Sequence, residues 1–555
     1  MKLSFFNFEP WQADLKKAAQ ELKEIGFVQR LLKKDFTLWK EKDEEISNRL
    51  GWLESPVLMQ PLIADYQRMA EEIKKEGIKH LILLGMGGST LAPEALNKIL
   101  GPRPGYPDLL LLDSTSPTAV NRLARLITSS TYKSFFLVSS KSGTTTETLS
   151  FLSFFYSLTR ERRGEQAGRY FMAITDPGTL LENLASALDF RLLLRGFPEV
   201  GGRFSALSPF GLFPAALMGL DLKRFLEPAV RSSELLKTEA PENPGIILGT
   251  IIGSMARAGQ NKLTIILPPK LRSLSRWLEQ LIAESTGKEG KGILPVIESL
   301  PLSLGSYGPD RLYVFYQIAD EPDIFWQEKL EKLKRLKLPL IQILFSPEKL
   351  AEDFYLWELA VAVAGYFLKI NPFNQPDVEM TKAKTRQLLQ KMKTEEASPN
   401  LLDFKEENFF SALNSFLSDK YQKTEYLALL CFLPPDDHLE IALDNLARQL
   451  SEKTRVPTTW NYGPAYLHST GQLYKGDAGR GKFIGLLFAE PELVPLPDLS
   501  SWAAPARSFN QLFVAQALAD FAALQEKGRR CLAIQLKEKP VEGIFRLGEL
   551  IRNLD

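Results

Sequence analysis

Several short stretches gather residue types that handle anions and protons. "SSKSGTTTET" (139–148) sets hydroxyls around Lys141 and Gly143. Ser140, Ser142, Thr144 and Thr145 offer donors from side chain and backbone, and Lys141 offers positive charge. Donors gathered at a helix start favour phosphate. No GK[ST] follows an earlier glycine at P-loop distance, so the spacing suits one phosphate rather than a nucleotide triphosphate. "MGGSTLAPEAL" (86–96) has the same layout: Gly87 and Gly88 permit close backbone approach, and Ser89 opens a helix. Taken alone, that stretch is equally a glycine turn with Ser89 or Thr90 as an ordinary N-cap. Two such turns after neighbouring parallel strands reinforce each other, because both are delivered to one sheet edge.

Groups able to move protons or steady charge lie further on. Arg203, behind two glycines in "VGGRFSALSPFG" (200–211), could stabilise an oxyanion or simply pair a carboxylate. In "RWLEQLIAESTGKEGKG" (276–292), Gln280 and Glu284 are four residues apart and share a helix face. Glu284 falls in the last turn, where the helix dipole disfavours its charge and should raise its pKa toward a general base. In "GYFLKINPFNQPDVEMTK" (365–382), Pro376 suits the first turn of a new helix, with Gln375 just before it and Lys382 about two turns in. Lys382 could act on a sugar-phosphate oxygen or pair with Glu379 at the surface. Of three histidines, His468 in "YGPAYLHSTGQLYKGDAGRGK" (462–482) is the best placed as a proton carrier. No Cys/His metal spacing, nucleophile elbow or Rossmann fingerprint is found, so neither a metal nor another cofactor is expected.

These stretches need a scaffold that brings them together. Short apolar runs, "HLILLG" (80–85), "DLLLLD" (108–113), "FFLVSS" (135–140) and "RYFMAIT" (169–175), alternate with helical patterns. Runs apolar throughout fit parallel strands buried on both faces. The pattern restarts after "TEAPENPG" (238–245) with "KLTIILP" (262–268), "DRLYVFYQIA" (310–319) and "LPLIQILF" (338–345). After a charged helical connector near 380–420 come "YLALLCFLP" (426–434), "KFIGLLFAE" (482–490) and "CLAIQL" (531–536). The expected fold class is α/β: two doubly wound parallel-sheet domains and a C-terminal α/β segment, with ligands beyond the carboxyl ends of the strands.

Composition narrows the partners. Lys plus Arg (68) nearly balances Asp plus Glu (67), which gives no global field for nucleic acid or an acidic membrane. Two cysteines, Cys431 and Cys531, fit a reducing compartment. The start resembles no signal peptide, and the longest apolar stretches fall short of a membrane span. A cytoplasmic protein acting on a small molecule is expected.

Together the first five stretches resemble the glucose-6-phosphate isomerase family, built on paired sugar-isomerase (SIS) domains. The resemblance covers roughly residues 50 to 390. The remainder, with "LHSTGQLYKGD", is similar to the isomerase half of fused transaldolase–isomerase proteins, although this length leaves no room for a transaldolase barrel. Patterning and resemblance together divide the chain into a helical segment over 1–75, SIS domains over 76–237 and 238–390, and a C-terminal α/β domain over 391–555. The resemblance implies an aldose–ketose isomerase of glycolysis and gluconeogenesis, acting on a sugar phosphate as a homodimer. Gly88, Ser89, Ser140, Ser142 and Thr145 would hold the phosphate, with Lys141 and Thr144 in the same loop. Arg203 would stabilise the enediolate and Glu284 would move the proton between C1 and C2, with Gln280 beside it. Gln375 and Lys382 would flank the sugar.

Two departures stand out. The family's ring-opening histidine precedes the "NPFNQPDVEMTK"-type segment, whereas "HSTGQ" with His468 follows it. Either His468 arrives by another chain path or from a neighbouring subunit, or Lys382 or Lys475 opens the ring. Asp377 stands where the family commonly has glycine. A non-catalytic SIS-type regulator is the competing reading. It would need only the phosphate cup, and Glu284, Gln280, Arg203 and Lys382 together favour the enzyme.

Overall fold

Among the described residues, three five-stranded sheets organise the chain. The computed structural model describes residues 2–129, 133–238, 242–298, 308, 310–319, 321, 323–392, 401–418, 425–499 and 502–554. In chain order the strands begin with β1 (Lys2–Phe6), β2 (Ile78–Gly85), β3 (Asp108–Leu112), β4 (Lys133–Ser139), β5 (Phe171–Thr175) and β6 (Leu192–Arg195). Next come β7 (Lys262–Ile266), β8 (Leu294–Ile297), β9 (Arg311–Ile318) and β10 (Leu340–Phe345). The last are β11 (Leu402–Asp403), β12 (Tyr426–Phe432), β13 (Thr458–Tyr462), β14 (Gly481–Phe488) and β15 (Arg530–Leu536).

The sheets have the orders β3-β2-β4-β5-β6, β1-β10-β9-β7-β8 and β11-β15-β14-β12-β13. All neighbours are parallel except β1, which pairs antiparallel with β10. One winding recurs three times. In each sheet a leading strand (β2, β7 or β12) lies between the next two, and a fourth flanks the third. The winding direction reverses beside each leading strand, and the connections diverge there to leave a crevice at the carboxyl edge.

The helices that bear on the site are α1 (Leu91–Leu100), α2 (Thr146–Arg163), α3 (Leu274–Thr286), α4 (Val378–Met392), α5 (Gly471–Gly476) and α6 (Phe509–Glu526). In α3 every residue except Arg276 is buried, its glutamates and glutamine included. A helix buried all round is ordinarily apolar, so its polar side chains need partners from elsewhere in the fold.

The long apolar runs form strands as expected, and the α/β class with parallel sheets holds. Residues 1–75, read as helical, also contribute β1, whose half-exposed residues extend the second sheet. The connector near 380–420 includes α4 and a helix at Phe409–Ser418, while 393–400 and 419–424 lie outside the described residues. Among the described residues no helix is long and apolar enough to cross a membrane.

Candidate active site

The two glycine- and hydroxyl-bearing turns do share one edge. β2 and β4 are neighbours, with Gly85 opposite Ser139, so the turns that follow lie side by side at the crevice of the first sheet. Ser139 Oγ reaches the Ser89 carbonyl at 3.5 Å. Thr145 Oγ1 lies 3.0 Å from Ser140 Oγ and 3.5 Å from Ser142 Oγ, and the Thr144 hydroxyl donates to Ser142 Oγ at 3.2 Å. Thr145 precedes α2 and makes no side-chain cap bond, which leaves first-turn amides to a ligand. Gly143, at φ 63°, turns the loop where a Cβ would lie 2.4 Å from Thr179 Cβ.

Lys141 leaves this cup. Its ammonium pairs with Asp176 and donates to the Pro198 carbonyl at 3.2 Å. Burial pulls it below its usual pKa, against the opposing attraction of Asp176. The loop therefore presents hydroxyls and amides, while Lys141 anchors its base.

A second cluster forms around Arg203, which is 3% exposed. Its Nε donates to Ser285 Oγ at 2.7 Å, and one terminal nitrogen reaches Glu284 Oε1 and Gln375 Oε1, both at 3.0 Å. The other donates to the carbonyls of Pro372 (2.6 Å) and Asn374 (3.1 Å). The guanidinium thus ties the end of α3 to the segment before α4. Gly88 sets its distance from the cup: a Cβ there would fall 2.0 Å from the Gly202 carbonyl oxygen. Glu284 Oε2 accepts from Gln280 Nε2 at 3.1 Å, as their shared face predicts. At the helix end the Glu284 carboxylate also faces the charge of the Arg203 guanidinium.

His468 reaches this cluster from its own chain. Its carbonyl accepts from Gln280 Nε2 at 2.7 Å, and its Nε2 lies 3.1 Å from Glu147 Oε1. Lys382 lies on the exposed side of α4 and lends its charge to Glu147, while the side chain of Glu379 is outside the described residues. Lys475, the alternative ring opener, is instead buried in an ion pair with Asp520 at 2.6 Å and belongs to the packing of the C-terminal unit.

Sequence reasoning missed two groups. Glu147, in the first turn of α2, is buried and accepts from Gln516 Nε2 of α6 at 2.7 Å. Burial would raise its pKa, but the charge and hydrogen bond of His468 bring it below the usual value. The charged residue within "TTTETLS" was its only signal. Lys288, 1% exposed, donates to the Asn374 carbonyl that Arg203 also contacts. Burial first, then the charge of Arg203, hold its ammonium well below the usual range.

Known proteins resemble this chain in sequence and in fold. The family model described as phosphoglucose isomerase matches residues 70–323. The glucose-6-phosphate isomerase of Mycoplasmopsis pulmonis (strain UAB CTIP) is 32% identical over 387 residues, covering 62% of this chain and 90% of that protein. That of Carboxydothermus hydrogenoformans is 29% identical over 433 residues, covering 67% and 91%. Among solved structures, a hypothetical protein from Thermus thermophilus aligns with a TM-score of 0.60 at 24% identity, over 70% of this chain and 99% of its own. A glucose-6-phosphate isomerase from Chlamydia trachomatis aligns at 0.54 and 17% identity, over 69% and 87%. Those two show the shared fold, and the sequence relatives carry the assignment: the chain belongs to the phosphoglucose (glucose-6-phosphate) isomerase family.

Proposed function

We propose that the residues gathered around Arg203 and Glu284 interconvert glucose 6-phosphate and fructose 6-phosphate, the reaction for which the family is named. The sugar phosphate sits in the cup of Gly88, Ser89, Ser140, Ser142, Thr144 and Thr145, over the start of α2. Lys141 supports that loop from behind. His468, held by Glu147, helps to open the ring, with Lys382 and Gln375 flanking the sugar. Glu284 then takes the proton from C2 of the aldose and returns it to C1, through a cis-enediolate. Gln280 orients the carboxylate.

The observation that carries this reading is the Arg203–Glu284 contact at 3.0 Å in a buried setting. When Glu284 gains the proton it loses its charge, and the negative charge passes to the enediolate. Arg203 then faces that charge, and donors fixed beforehand need little reorganisation. A sensor of sugar phosphates would need the cup alone and gives this buried pair no task.

We place the domains at 1–75, 76–237, 238–390 and 391–555, the second and third being SIS domains. We also propose a homodimer in the cytoplasm, which the two free cysteines suit. The test is a coupled assay of glucose 6-phosphate formation from fructose 6-phosphate, with a chelator present. We expect turnover by the wild type and a fall in kcat of about 10²- to 10⁴-fold in Glu284→Gln, with the substrate still bound. Full activity in that variant would remove Glu284 from the mechanism.

A further inference from the structure

One side chain joins three segments of the site. Gln472, in α5 of the C-terminal unit, is wholly buried. Its Nε2 donates to the Gly287 carbonyl at 2.9 Å, at the end of the helix that carries Glu284. The same nitrogen donates to Asp377 Oδ2 at 2.8 Å, just past Gln375, and Oε1 accepts from the Asp377 amide at 3.0 Å. Gln472 also lies four residues past His468. Two acceptors meet the NH2 and one donor meets the oxygen, so the contacts fix the orientation of the amide. No carboxylate, hydroxyl or thioether could satisfy all three.

The backbones around it are pressed together. A Cβ at Gly287 would lie 2.3 Å from Leu473 Cα, and one at Gly476 would lie 2.3 Å from the Gly287 oxygen. The Gly290 amide donates to the Gly476 carbonyl at 2.9 Å. Asp377 turns its other oxygen to Lys527 at 2.7 Å. Asp377 is thus held by two side chains of the C-terminal unit, Gln472 and Lys527.

We propose that Gln472 is a positioning residue for the isomerisation: it locks the Glu284 helix end, the Gln375–Asp377 segment and the His468 loop in one geometry. The C-terminal unit is then part of the catalytic frame. This inference rests on the isomerase reading above. Misplacing a reacting group by about an ångström can cost on the order of 10²-fold in rate. The phosphate cup sits on the first sheet and does not touch Gln472, so binding should be spared.

The test uses the full chain and the coupled fructose 6-phosphate assay, with melting curves alongside. Gln472→Met should lower kcat by about 10- to 100-fold and leave KM within about threefold. Gln472→Glu sets a carboxylate against Asp377 Oδ2 and the Gly287 carbonyl. Its kcat relative to wild type should rise as the pH falls and the introduced carboxyl protonates, while the ratio for Gln472→Met stays flat. A folded Gln472→Met with kcat within twofold of wild type overturns the proposal. Should that variant fail to fold, Asp377→Gly decides: a fall of about 3- to 10-fold in kcat supports the lock, and wild-type kcat overturns it. An inactive wild type would refute the isomerase reading itself, whereas an active wild type with unaffected variants refutes only the role of Gln472.

Discussion

Glu147 and His468 come from opposite ends of the chain, 321 residues apart, and meet at 3.1 Å. A proton on Nε2 lets the imidazole donate to the carboxylate, and the other ring nitrogen, Nδ1, can then accept a proton and return it. A ring-opening group needs that two-sided character, because a proton must be taken up and given back. His468→Ala should therefore slow turnover of ring-closed substrate by about 10²-fold or more, and leave proton exchange at C2 of an open-chain analogue near wild-type rates. Rapid-mixing kinetics with anomerically pure substrate, set beside solvent-deuterium incorporation, would show the difference. Equal losses in both would take ring opening away from His468. The sequence presents His468 as a good proton carrier in an unexpected place, and it presents Glu147 as one charge in a helical run. Their pairing is a property of three dimensions, and so is the withdrawal of Lys141 to Asp176.

At the scale of elements, α3 faces several ways at once. Gln280 and Glu284 point to the site, while buried Glu279 accepts from Asn461 of the third sheet at 3.2 Å. Burial raises the Glu279 carboxyl from 4.5 to about 7. Between those values the folded chain holds a proton that the unfolded chain has released, so stability from this group declines as pH rises through that window and is level above it. Charged Glu279 costs about 3 kcal/mol above the window. Glu279→Gln keeps the acceptor and removes the charge. Its melting temperature should exceed wild type near pH 8 and match it near pH 5, and an equal shift at both would discount the ionisation. The same scale shows what a pattern can reveal. Strands with long buried runs, such as Leu81–Leu84 and Phe135–Val138, are legible from apolarity alone. Every strand the pattern passed over (β1, β6, β8, β11 and β13) is an edge strand. Edges are short, and they admit polar residues or Pro295 where a central strand would not.

The whole molecule repeats one winding three times and divides the work among the copies. The first sheet supplies the proposed cup and Arg203, the helix after β7 supplies Glu284, and the segment after β13, running from the turn at His468 into α5, supplies His468 and Gln472. His468 reaches the cluster from the third unit of its own chain. Each proposed role can be filled from a single chain, so the proposed homodimer need not contribute a site residue. Specific activity should then stay constant on dilution from micromolar to low nanomolar chain, even across the range in which the dimer dissociates. Initial rates taken beside mass photometry at matched concentrations measure both quantities. Activity that falls in step with the dimer fraction would mean that a group from the second chain enters the site, and the assignment of His468 from the same chain would fail with it.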